Sequence, residues 1–159
     1  MANFEQLMLL MSQVAPVLDP LMIDVSAGAN CCLVVMEADL GILIQLDERR
    51  NRLFLSSELG APPPCDLKRF YETLLVVSYH WEKTGGWRMA LNGPGGEVVL
   101  VSETAADGQD ATQFCATLTA FAATAKAHRK IVQNPAAAQE AGAAQEAGAA
   151  PESFFGIRV

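Results

Sequence analysis

The sequence predicts an α+β fold, an antiparallel β-sheet carrying three helices in the order α-β-β-β-(β)-α-β-β-α. Three observations predict it. Apolar residues recur every three or four positions in three separate stretches, from Phe4 to Val17, from Leu67 to Ser78 and from Phe114 to Val132. Between the first two lie four short apolar segments. The turns that join them are too short for a crossover helix, so neighbouring strands must run antiparallel. After the middle helix, two glycine-bearing turns bracket one strand and introduce another.

The first helix carries Phe4, Leu7, Met8, Met11 and Val14 or Ala15 on one stripe. Leu9 and Leu10 widen that stripe beyond what a single core contact needs. Asn3 is the expected N-cap, Glu5 and Gln6 suit the first turn, and Pro16 and Pro20 are expected to close the element. Strands are expected at Leu21 to Val25, Cys31 to Met36, Leu40 to Leu46 and Arg52 to Ser56. Leu40, Ile42, Ile44 and Leu46 share one face of the third. Ala61-Pro62-Pro63-Pro64 ends this meander, and Asp66 is the expected cap of the central helix. That helix presents Leu67, Phe70, Tyr71, Leu74, Leu75 and Ser78 on its stripe, with Val76, Val77 and Tyr79 as a further apolar surplus.

Gly85 and Gly86 stop the helical pattern, because glycine accepts a positive φ. Strands at Trp87 to Leu91 and Glu97 to Ser102 then flank the turn Asn92-Gly93-Pro94-Gly95-Gly96. Asp110 or Thr112 caps the last helix, whose stripe is Phe114, Leu118, Phe121 and Ala125. Lys126, His128, Arg129 and Lys130 crowd its last turns, where the helix dipole favours cations.

The 159 residues suffice for one domain with a substantial core, and 51% hydrophobic content argues against overall disorder. A net charge of −7 disfavours a nucleic-acid partner. Met1 to Val17 is apolar but lacks a basic start, so no signal peptide is expected. No apolar run approaches the roughly 20 residues that span a bilayer. Cys31, Cys32, Cys65 and Cys115 show no CxxC spacing and read as reduced thiols of a cytoplasmic protein. Composition divides the chain into a domain over 1–133 and an Ala/Gly/Glu/Gln-rich tail over 134–159. The tail repeats Ala-Ala-Gln-Glu-Ala-Gly at 137–142 and 143–148 and reads as a flexible linker. It ends in Phe154, Phe155, Ile157 and Val159, either a disordered end or a short docking peptide.

No catalytic constellation is visible, and no metal or cofactor is expected. His80 and His128 have no Cys, Asp or Glu at ligand spacing. Cys65 or Cys115 would need a histidine distant in sequence to form a dyad. Gly93-Pro94-Gly95-Gly96 precedes a strand and lacks the GK[ST] of a phosphate loop. Asp39, Asp47 and Glu48 fall in turns, where solvated carboxylates are ordinary. What remains is more apolar surface than a small monomer hides, the mark of a binding site or an oligomer contact.

The run Thr84-Gly85-Gly86, then Met89-Ala90-Leu91-Asn92, a glycine turn and Val98-Val99-Leu100 resembles the CesT-type class I type III secretion chaperones. The order of elements follows that family from about Phe4 to Ile131, and the tail has no counterpart in it. The resemblance implies a cytoplasmic bacterial homodimer that is not an enzyme. It implies an ATP-independent chaperone that binds the N-terminal region of secreted effector proteins and keeps it unfolded and secretion-competent. Its partners would be those effectors, a second copy and components of the secretion apparatus, with no membrane insertion.

On that reading, an effector segment lies in apolar grooves beside the first helix and the meander, and its backbone can extend a sheet edge. The groove residues expected are Leu7, Met8, Met11, Val14, Leu33, Val35 and Leu43. Tyr71, Leu75, Val76, Tyr79 and Trp87 are expected at the two-fold interface. Two other classes fit the sequence: a non-catalytic regulatory or adaptor domain of similar fold that binds a folded partner, and a small enzyme whose site assembles in three dimensions.

Overall fold

A computed structural model describes residues 3–37, 40–64, 66–80 and 85–133. Asn3 starts the first helix, α1 (Phe4–Leu18), through a capping box. Its side chain accepts from the Gln6 backbone N–H at 2.9 Å, and the Gln6 side chain accepts from the Asn3 N–H at 3.1 Å. Pro16 does not close the helix, contrary to expectation; it sits inside the last turn. The stop is Asp19, whose left-handed backbone (φ 48°) turns the chain while its N–H still reaches Ala15.

The meander consists of β1 (Met22–Ser26), β2 (Cys31–Glu37), β3 (Leu40–Asp47) and β4 (Arg52–Gly60). After it come α2 (Leu67–Tyr79), β5 (Arg88–Leu91), β6 (Val98–Ala105) and α3 (Ala111–Gln133). The strands form one six-stranded antiparallel sheet in the order β1-β2-β3-β4-β6-β5. The expected fold class, element order and antiparallel meander are all present. β4 runs four residues past its expected end, because the polar-looking Ser57 and Glu58 still pair with Leu100 and Val99. A register shift between Glu58 and Gly60 interrupts the ladder before Gly60 pairs with Val98, and Arg129 of α3 donates to the Glu58 carbonyl there at 2.7 Å.

Asp66 holds the expected N-cap position of α2, its carbonyl accepting from the Phe70 N–H at 3.0 Å, but it does so in a left-handed conformation (φ 52°) and makes no side-chain cap bond. Asp110 does cap α3: its carboxylate accepts from the Gln113 N–H at 3.2 Å. Gly85 (φ 70°) and Gly86 (φ 88°) both take the left-handed backbone anticipated for them. In the β5–β6 turn, a Cβ on Gly96 would collide with the Asn92 side-chain oxygen, which accepts from the Glu97 N–H at 2.9 Å.

The core lies on one face of the sheet, here called the inner face. Cys32, Val34, Leu40, Ile42, Ile44, Leu46, Leu53, Leu55, Leu59, Val98 and Leu100 alternate into it. Leu7, Met11 and Val14 of α1 meet them, with Phe70 and Leu74 of α2 and Phe114, Leu118, Phe121, Ala122 and Ala125 of α3. α3 packs on α1, β3 and β4, and α2 packs on β5. The result is two layers, a sheet and helices.

Candidate functional site

Strand alternation settles which apolar side chains are left over. Paired registers place Leu33, Leu43, Ser56 and Val101 in one row across β2, β3, β4 and β6. Val35 and Gly41 form a second row with Met22 of β1, and Cys31, Gln45 and Phe54 a third. These residues occupy the outer face, opposite the core. Val99 apart, every outer-face residue of β2, β3, β4 and β6 is half-exposed or exposed. The centre of this face is apolar, and Leu43 at its middle retains 37% of its surface.

The expected groove therefore divides. Leu33, Val35 and Leu43 lie together on the outer face. Leu7, Met11 and Val14 lie beyond the sheet, buried among inner-face side chains with at most 4% exposure. This burial sets them apart from Leu33, Val35 and Leu43, because a partner would have to unpack α1 to reach them. Met8 is half-exposed on the rim of α1, beside the exposed Leu9 and some distance from the exposed Val17 at the helix end. Leu9 and Val17 are exposed apolar residues outside the expected groove.

The two sheet edges differ. At the β5 edge, Ser78 of α2 uses one hydroxyl twice, accepting from the Met89 N–H and donating to the Met89 carbonyl, both at 3.1 Å. That contact occupies the outward-pointing backbone of Met89, so α2 blocks the edge there. At the other edge, β1 has β2 on one side only, and Leu21, Met22 and Val25 are exposed along it.

The expected dimer residues also separate. Leu75, Val76 and Tyr79 form an outward stripe on α2, exposed by 71%, 57% and 79%. Tyr71 and Trp87 turn towards the chain's own core. Tyr71 leans on the Phe70 ring at 5.8 Å, and Trp87 meets Phe121 of α3 edge-on at 5.8 Å.

Ionisable chemistry is sparse among the described residues. No three His, Cys, Asp or Glu side chains gather as a metal site needs. A cleft of about 160 Å³ lies between α1, Leu46, Leu53 and the loop at Asp107–Gln109. A wider one of about 450 Å³ lies between Gly28–Asn30 and Gln45–Arg49. Its Asp47 is occupied in its own turn, accepting from the Arg50 N–H at 3.0 Å. Burial, with smaller contributions from Cys31 and Asp24, pushes the Cys32 thiol up from 9.0 to about 11. A buried thiol held neutral is not a nucleophile. Among the described residues, no helix is long and apolar enough to cross a membrane.

Three comparisons bear on this architecture. No curated protein sequence matches the chain significantly. Solved structures do match in fold. One is the crystal structure of the ExsC–ExsE complex, with a TM-score of 0.69, 16% identity, and 83% of this chain and 97% of that one covered. Another is the HopA1–SchA chaperone–effector complex, with a TM-score of 0.63, 13% identity, and 82% and 99% covered. A third is the Yersinia pestis type III secretion chaperone SycH in complex with a stable fragment of YscM2, with a TM-score of 0.56, 17% identity, and 74% and 95% covered. In sequence, residues 24–129 match the family described as Tir chaperone protein (CesT), a span from β1 to the last turns of α3. The chain belongs to the CesT family of Tir chaperone proteins.

Proposed function

We propose that this protein is an ATP-independent type III secretion chaperone of the bacterial cytoplasm. It binds the N-terminal region of one or more secreted effectors and keeps that region unfolded and secretion-competent. The observation that carries the reading is the uncovered apolar outer face around Leu33, Val35 and Leu43 in a chain of this family. An extended client segment suits such a face. Its side chains lie on the apolar rows, and its backbone pairs along the open β1 edge. Met8 and Leu9 on the rim of α1 offer a second apolar contact on the other side of the sheet. The HopA1–SchA chaperone–effector complex, similar in fold, supports this reading.

The working unit is a homodimer joined through Leu75, Val76 and Tyr79. A stable protein interface buries about 1,600 Å² in total, and the stripe supplies its apolar centre. A symmetric contact is self-complementary, so one stripe suffices for both copies.

The test is affinity purification with an effector's N-terminal region, with ATP removed by apyrase. The expected result is capture by wild type, at least tenfold weaker capture by Leu43→Asp, and unchanged light-scattering mass for that variant. The carboxylate would have to be desolvated on an apolar face. Equal capture by Leu43→Asp overturns the assignment of this face, and a requirement for ATP overturns the mechanism. Tyr79→Glu tests the dimer: a wild-type mass at micromolar concentration would rule α2 out as the interface.

A further inference from the structure

The open β1 edge has a matching segment within the same chain. β1 presents two different rims. Leu21, Ile23 and Val25 alternate to the helix side, and Met22, Asp24 and Ser26 to the outer side. The residues after Gln133 lie outside the described residues, but their sequence is informative. Large apolar side chains occur there only at Phe154, Phe155, Ile157 and Val159. In an extended segment these also sort by period two. Phe155, Ile157 and Val159 share one side, and Phe154, Gly156 and Arg158 share the other. One side is wholly apolar, like the helix side of β1. The other mixes an aromatic with the only cation after Gln133, and the outer side of β1 mixes Met22 with the carboxylate of Asp24.

The tether reaches. Lys126 of α3 holds the Glu37 carboxylate at 2.8 Å, at the end of β2 beside which β1 begins. Gln133 lies seven residues further along the helix, about 10 Å. The 20 residues 134–153 then span roughly 22–27 Å as coil, or about 30 Å if helical. Adjacent strands lie only about 5 Å apart, so the β1 edge is within range.

We propose that residues 153–159 add as a strand to the β1 edge of their own chain. Phe155 and Ile157 then cover Leu21, Ile23 and Val25, and Arg158 lies on the side of Asp24. The segment blocks an edge that otherwise offers bare backbone to other chains. The seat does not depend on what the protein binds.

Hydrogen exchange on the full chain tests this. Ile157→Pro removes a ladder donor without touching the folded domain. The β1 amides, Met22 to Ser26, should exchange at least tenfold faster in Ile157→Pro than in wild type, while Leu40 to Asp47 exchange equally in both. Arg158→Glu should show a smaller increase, and Arg158→Lys should behave as wild type. Equal β1 exchange in wild type and Ile157→Pro overturns the proposal. So does protection that disappears on dilution, which would mean pairing between separate molecules. Protection moved to α2 would place the segment elsewhere and overturn it as well.

Discussion

Met8 and Met11 are three residues apart on α1, and the structure gives them different fates. Met11 is 1% exposed within the core, whereas Met8 is half-exposed at the rim. Truncating Met11 to alanine removes buried methylene and sulfur contacts and leaves a cavity that α3 and the sheet close only in part. Such truncations cost about 2–5 kcal/mol. With a urea m-value of about 2 kcal/mol/M, the midpoint should fall by roughly 1–2.5 M. Met11→Glu goes further, because an unpaired carboxyl in this core must stay protonated or open the structure. Domains of this size are stable by only about 5–15 kcal/mol, so Met11→Glu should leave little folded protein. Met8→Glu should cost at most about 1 kcal/mol, since its side chain can turn to water.

The assay is urea denaturation followed by circular dichroism, with effector binding measured on the variants that fold. A wild-type midpoint for Met11→Ala would refute the packing of α1 described above. Leu7, Met11 and Val14 would then be free to line a groove. Normal folding of Met8→Glu with weakened effector binding would place the α1 rim in the client contact.

Gly86→Val should cost on the order of 1–2 kcal/mol from its left-handed backbone, since no atom of the described residues lies within 4 Å of the added Cβ; an unchanged melting temperature would refute that backbone assignment. Ser57 is 3% exposed, and its hydroxyl has no hydrogen-bond partner among the described residues. Ser57→Ala should therefore stabilise by about 1 kcal/mol, and a loss of stability would show that the hydroxyl is satisfied. For Cys32, the unfolded thiol titrates near 9.0 and the folded one near 11, so the unfolded state binds fewer protons in between. Stability from the neutral thiol is full below pH 9 and lost as pH rises to 11, about 2–3 kcal/mol in all; the difference between wild type and Cys32→Ala should shrink across that window, and a flat difference would refute it.

The elements were legible wherever one face of a segment was apolar and the other polar. The α3 stripe of Phe114, Leu118, Phe121 and Ala125 is buried throughout, and so is the alternation from Leu40 to Leu46. β2 was harder. Cys31 to Met36 is apolar at every position, so period two separates two faces without saying which meets the helices. Only the register with β3 resolves it: Val34 lies opposite Ile42 and joins the core, which turns Leu33 and Val35 away. The same limit applied to α1, whose stripe is wider than its contact. Periodicity ranks Leu7, Met8 and Met11 together, and only the packing of α1 against α3 and the inner face buries the first and last and leaves Met8 at the rim. The left-handed Asp66 was illegible for another reason. Aspartate is a favoured cap in an extended conformation, and backbone geometry after the proline run, not composition, decided this one.

The division of the expected groove has a consequence for how a client can bind. The outer face and the rim of α1 are separated by the full thickness of a sheet whose interior strands are paired on both sides. A continuous segment that touches both must therefore pass around an edge. At the β5 edge, Ser78 already holds both backbone groups of Met89, and α2 stands beside it. The β1 edge is the less obstructed route, and its exposed Leu21 and Met22 give a passing chain apolar contact on both sides of the turn. On the proposed function, client and C-terminal segment then converge on the same few residues. On that proposal, whatever occupies Met22 to Ser26 would decide whether the two apolar surfaces act as one site or as two.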